Sequence, residues 1–68
     1  MHMIENRLRI LRENYEIPQR ELAEYLTLHQ TTYSDYELGK LNIPIPILIK
    51  LAKFYRVSID YLVGFSDQ

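Results

Sequence analysis

Two glycines, Gly39 and Gly64, and three prolines, at 18, 44 and 46, punctuate the chain. The apolar-periodic stretches between them are all short, which favours short helices joined by tight turns. From about Met3 to Asn14, Ile4, Leu8, Leu11 and Tyr15 recur at helical spacing, with Arg7, Arg9, Arg12 and Glu13 between them. A second helix is expected over Pro18 to Leu26. Proline at a helix start loses no hydrogen bond, Glu21 in the first turn suits the helix dipole, and Leu22, Ala23 and Leu26 form an inner stripe. A third runs from about His29 to Leu38, with Leu28, Thr32, Tyr33 and Tyr36 inward. It is closed by Gly39 in a left-handed conformation. Asn42 to Pro46 is expected to be extended or turned, because residues before proline avoid the helical region. The fourth helix covers Pro46 to Tyr55, with Ile45, Leu48, Leu51, Ala52 and Tyr55 facing in. Ser58 caps a fifth over Ile59 to Val63, stopped by Gly64. No stretch alternates as a strand does, and the prolines of IPIPILI exclude an interior strand. The expected class is all-α: a compact bundle of five short helices forming one domain over residues 1–68.

Length and composition agree. A 68-residue chain has room for one small core, burying ~60% of its unfolded surface. With 47% apolar and 25% charged residues it has the balance of a folded protein, not a disordered one. No cysteine is present, so disulfides and thiolate chemistry are excluded. No apolar run approaches the ~20 residues of a membrane span. MHMIENRLRI lacks the apolar core of a signal peptide. The expectation is an intracellular, cytoplasmic chain with no membrane partner.

Catalysis lacks parts. His2 and His29 are the only histidines, so there is no histidine cluster for zinc and no pair for acid–base work. Ser34, Ser58 and Ser66 have no evident base, and the carboxylates stand as single surface charges. Without a glycine-rich phosphate loop no nucleotide cofactor is expected. The reading is no enzyme, no metal, no cofactor and no small-molecule effector.

The second and third helices are separated by little more than Thr27 and Leu28. That is the spacing of a helix-turn-helix, over about 18–38, whose second helix can enter the DNA major groove. Gln19-Arg20-Glu21-Leu22-Ala23, Tyr33-Ser34-Asp35-Tyr36-Glu37-Leu38-Gly39-Lys40 and LIKLAKFYRVSIDYLVG, in this register, resemble the Cro/phage-repressor helix-turn-helix family, the XRE-type regulators. The likeness runs from about Arg7 to Gly64 and implies a lambda-repressor-like fold.

The resemblance implies roles. Gln19 matches a DNA-backbone-contacting and orienting glutamine. Gln30, Thr31 and Asp35 match base-reading positions, and Ser34 flanks them as a DNA-backbone contact. Thr32 and His29 border that surface, and Thr32 is equally readable as a packing residue. Lys40 and the backbone around Asn42 match a phosphate-gripping loop. Arg12 and Glu37 match a structural pair joining the first helix to the end of the third. The chemistry is compatible: glutamine pairs with adenine N6 and N7, and a threonine methyl suits the thymine methyl. Backbone N–H groups at the start of the second helix can also face a phosphate.

Several residues depart from the pattern. Thr27 stands where glycine is usual in the turn, so a strained or altered turn is expected. His29 and Pro18 replace the usual polar caps. Tyr33 is bulkier than the common aliphatic residue, and its hydroxyl is expected to reach the surface. Between Thr27 and Asn42 the only base is Lys40, against Asp35 and Glu37. Asp35 fits either cytosine N4 or a protein-binding face. Arg7, Arg9 and Arg20 are further candidates for phosphate.

The resulting expectation is a sequence-specific regulator of transcription, a repressor, acting on double-stranded DNA. It would bind as a homodimer on a pseudo-palindromic operator, aided by Tyr61, Val63 and Phe65. The alternative is a protein-interaction module, antitoxin-like, that keeps the fold without DNA affinity.

Overall fold

The computed structural model of the protein describes residues 3–63, with side chains from Arg7 onward. The expectations for His2, Gly64, Phe65, Ser66 and the Ile4 side chain lie outside the described residues. Five helices follow one another: α1 (Met3–Asn14), α2 (Gln19–Tyr25), α3 (Gln30–Glu37), α4 (Ile45–Tyr55) and α5 (Ile59–Leu62). No strand occurs among the described residues.

One core holds them together. Leu8 and Leu11 of α1, Leu22 and Ala23 of α2, Tyr33 and Tyr36 of α3, Leu51, Ala52 and Tyr55 of α4 and Leu62 of α5 form a single buried cluster, with Leu26 after α2. Burying apolar area is worth roughly 25 cal/mol per Å², so these side chains fix how the helices sit. Tyr55 is packed edge-on to both Tyr15 and Phe54, with ring centroids 5.1 Å apart in each case.

The inner face of α1 stops earlier than its periodicity implies. Tyr15 follows the helix and is 54% exposed, although its ring still leans on Tyr55. Ile45 is 62% exposed and does not face the core. The physical reason is that α4 starts one residue earlier than expected. Pro44 is the N-cap, so Ile45 occupies the first helical position, at the outer end of the helix. Pro46 is tolerated in this first turn because no N–H is needed there. At α2 and α3 the expected end residues Pro18 and His29 are N-caps, and neither gives a side-chain capping bond. Ser58 does cap α5, its Oγ accepting from the Tyr61 N–H at 2.9 Å.

α1, α2, α3 and α4 close on the same turn. Glu16, Thr27, Gly39 and Arg56 each take positive φ, at 55°, 60°, 75° and 58°. In each turn the next N–H reaches back to a carbonyl five residues earlier: Ile17 to Arg12, Leu28 to Ala23, Lys40 to Asp35 and Val57 to Ala52. This is the Schellman closure, usually completed by an apolar residue after the left-handed one. Ile17, Leu28 and Val57 fill that role against the core. After α3 the position holds Lys40, which is exposed.

Candidate nucleic-acid interface

α3 has two faces. At 3.6 residues per turn, Gln30, Thr31, Ser34, Asp35 and Leu38 fall on one side of its axis. Gln30, Thr31 and Leu38 are exposed, and Ser34 and Asp35 are half-buried. Tyr33 and Tyr36 are buried on the other side, and Thr32 is half-buried between the faces. The core therefore anchors one side of the helix and leaves a stripe on the other that is polar from Gln30 to Asp35 and ends in the exposed Leu38. An amide, hydroxyls and a carboxylate on that stripe offer both donors and acceptors to base edges. His29 is exposed just before the stripe, and Lys40 and Asn42 are exposed just beyond it. The Lys40 N–H is tied to the Asp35 carbonyl at 2.9 Å, so its side chain is carried on a fixed backbone.

Glu37 organises the other side of α3. Arg12 reaches it with both arms of its fork, Nε to Oε2 at 2.7 Å and Nη2 to Oε1 at 3.2 Å. Arg12 Nη1 also donates to the Ile17 carbonyl at 3.0 Å. Gln19 Nε2 donates to Glu37 Oε1 at 2.9 Å, and the Tyr33 hydroxyl donates to Oε2 at 2.6 Å. The Glu37 side chain is 4% exposed and that of Arg12 14%. α1, the first residue of α2, and α3 thus meet on one carboxylate. Burial pushes the Glu37 pKa up, but the hydrogen bonds from Arg12, Tyr33 and Gln19 outweigh it and hold the group below its ordinary range. The Arg12 guanidinium is raised chiefly by the same hydrogen bond.

One expectation is corrected here, and the charge count around α3 is refined. The Tyr33 hydroxyl does not reach the surface, because the residue is wholly buried and Glu37 supplies an acceptor inside. Glu37 does not add negative charge to the exposed stripe, because its carboxylate is turned inward and consumed by four hydrogen bonds. The acid on that face is Asp35. Of the outlying bases, Arg9 and Arg20 are exposed. The Arg7 guanidinium carbon lies 4.4 Å from the ring centroid of Tyr61, tying α1 to α5. Tyr61 and Val63 are half-buried.

Sequence reasoning did not place Leu38 on the stripe or join Gln19 to Glu37. The spacing of Gln30, Ser34 and Leu38, each four residues on from the last, was the available signal for the first. Nothing in the sequence signals the second. Among the described residues no group of three His, Asp or Glu side chains is placed to hold a metal, and no helix is long and apolar enough to cross a membrane.

The helix-turn-helix family pattern matches residues 8–62, from α1 to α5. The chain belongs to this family, the XRE-type transcriptional regulators. It is a family of regulators, not of enzymes. The chain is 36% identical over 61 residues to the HTH-type transcriptional regulator YobD of Bacillus subtilis, covering 90% of this chain and 54% of that protein. It is 35% identical over 65 residues to the cryptic phage CTXphi transcriptional repressor RstR of Vibrio cholerae, covering 96% of this chain and 59% of that protein. It thus spans little more than half the length of these two relatives. Its fold matches the crystal structure of a transcriptional regulator from Listeria innocua with a TM-score of 0.90 and 29% identity, over 100% of this chain and 64% of that one. Both the all-α class and the helix-turn-helix formed by α2 and α3 agree with this match.

Proposed function

We propose that this helix-turn-helix regulator binds double-stranded DNA sequence-specifically and acts as a repressor, with α3 in the major groove. The observation that carries this reading is the exposed polar stripe of α3, held outward by a core that buries Tyr33 and Tyr36 behind it. Gln30, Thr31 and Asp35 meet base edges: the amide pairs with adenine, the methyl of Thr31 packs on thymine, and Asp35 accepts from cytosine N4. Gln19, Ser34, Lys40 and the backbone at Asn42 meet phosphates, which fix the register. His29 and Thr32 lie beside that contact. The inward turn of Glu37 supports DNA over the antitoxin-like alternative, because it takes one of two acids off the face that meets phosphate.

A single reader of this size makes few contacts, so the working form is a homodimer on a pseudo-palindrome with half-sites about one helical turn apart. Tyr61 and Val63, half-buried at the end of α5, contribute to the dimer surface. The site of action is the cytoplasm, at the nucleoid. Selection of bound sequences from a pool of random duplexes tests the reading. Enrichment of a two-fold motif supports it. Failure to enrich any motif, with no gel shift even at low salt, rejects it and favours a protein partner.

A further inference from the structure

We infer that Glu37 is a positioning residue that fixes the polarity of the Gln19 amide, so that Gln19 meets DNA as a hydrogen-bond donor. The inference rests on the DNA-binding reading above. An ionised carboxylate only accepts, at about four lone-pair sites. Glu37 has four donors around it: Arg12 Nε and the Tyr33 hydroxyl on Oε2, and Arg12 Nη2 and Gln19 Nε2 on Oε1. Turning the amide over would set the Gln19 oxygen against a carboxylate oxygen. It would also strip one donor from a side chain that is 4% exposed. Nε2 is therefore held inward. One of its hydrogens is spent on Glu37, and the half-buried Gln19 side chain keeps the second for an outside acceptor.

A phosphate is also acceptor-only, so the second N–H is the part of this amide it can use. The amide nitrogen then bridges two anions, one inside the protein and one on the DNA. Because Glu37 already holds the rotamer, little side-chain freedom is lost on binding. Tyr33, one turn before Glu37 on α3, is a second positioning residue in this chain of contacts. Its hydroxyl holds Oε2 and so keeps Oε1 turned toward Gln19.

The test uses the full chain and a duplex bearing its selected site. In the free protein, one Gln19 amide hydrogen is expected downfield and slow to exchange, and DNA is expected to shift the other. Gln19→Ala is expected to weaken binding about tenfold at every salt concentration, the size of one charge-assisted hydrogen bond. The salt slope stays unchanged, since a neutral amide releases no counterion. In a Glu37→Gln background that loss is expected to shrink to about twofold or less, because the two groups act as one unit. Tyr33→Phe, which keeps the ring, replaces Glu37→Gln in the cycle if the latter does not fold. Averaged, fast-exchanging Gln19 hydrogens in the free protein overturn the inference, as do losses that simply add. Absence of any duplex binding by the unaltered chain overturns the DNA reading itself and the inference with it, so the two failures are told apart.

Discussion

The hydroxyl of Tyr33 lies 2.6 Å from Oε2 of Glu37, one turn along the same helix and with the tyrosine wholly shut off from water. Burial, followed by this hydrogen bond, raises the Tyr33 pKa far above its ordinary value, so the group stays a donor at every working pH. A short O–H to carboxylate bond is of the charge-assisted kind, about twice as strong as a neutral one. It sets the rotamer on which Arg12 and Gln19 converge. The last turn of α3 is thereby fastened to α1 and to the start of α2.

Arg12→Ala removes two of these bonds to Glu37, together with the one from Arg12 to the Ile17 carbonyl. It leaves an ionised, nearly dry carboxylate with two donors, and the expected cost is ~3–5 kcal/mol. For a domain of this size each kcal/mol moves the melting temperature by about 4–8 °C. A thermal melt is therefore expected to show a fall of ten degrees or more, or no folded state at all. An unchanged melt contradicts the arrangement.

Acid acts on the same carboxylate. Its folded pKa lies below the ordinary 4.5. The stabilisation it contributes is thus complete above that pH and is lost as pH falls through the folded value. Melting temperature is expected to drop on acidification below about pH 4.5, and more steeply than in Glu37→Gln. Parallel pH profiles for the two proteins contradict the assignment.

The helices were largely legible because their signals are local. Leu8, Leu11, Leu22, Ala23 and Leu26 are where their periodicity puts them, and Gly39 and Ser58 terminate and cap as glycine and serine do. Ile45 was misread because two prolines two residues apart hide which one starts α4. Glu16 and Arg56 were invisible as left-handed positions, since neither residue type favours that conformation. Tyr33 was misread because aromatic hydroxyls usually seek water, and only the folded chain brings a buried acceptor 2.6 Å away. The reading stripe was legible through the family resemblance. The charge on it was legible only in part: the resemblance pairs Glu37 with Arg12, but no local signal shows that Gln19 and Tyr33 also turn toward that carboxylate.

The turn between α2 and α3 carries a testable strain. Thr27 sits at φ 60° with a branched Cβ, a conformation costing of order 1–3 kcal/mol for a residue other than glycine. Thr27→Gly is expected to raise the melting temperature by a few degrees, the relief being partly offset by the greater freedom of glycine in the unfolded chain. A fall in melting temperature means that the side chain contributes more than the strain costs.

Lys40 and Gln30 are expected to fail in different ways. Lys40→Ala should weaken binding to all duplexes alike and reduce the salt slope by about 0.9. Gln30→Ala should leave the slope alone and lose about 1–3 kcal/mol of discrimination at one base pair. Gel shifts across a salt series on matched and mismatched duplexes separate the two. A shared phenotype contradicts the division of labour between phosphate and base.

The central claim, that the outer stripe of α3 lies against DNA, is tested most directly by following backbone amide resonances as the selected duplex is added. The account predicts the largest shifts at Gln30, Thr31, Ser34, Asp35 and Lys40, with α4 little changed. Shifts concentrated in α4 and α5, with those five residues unmoved in a saturated complex, would contradict it.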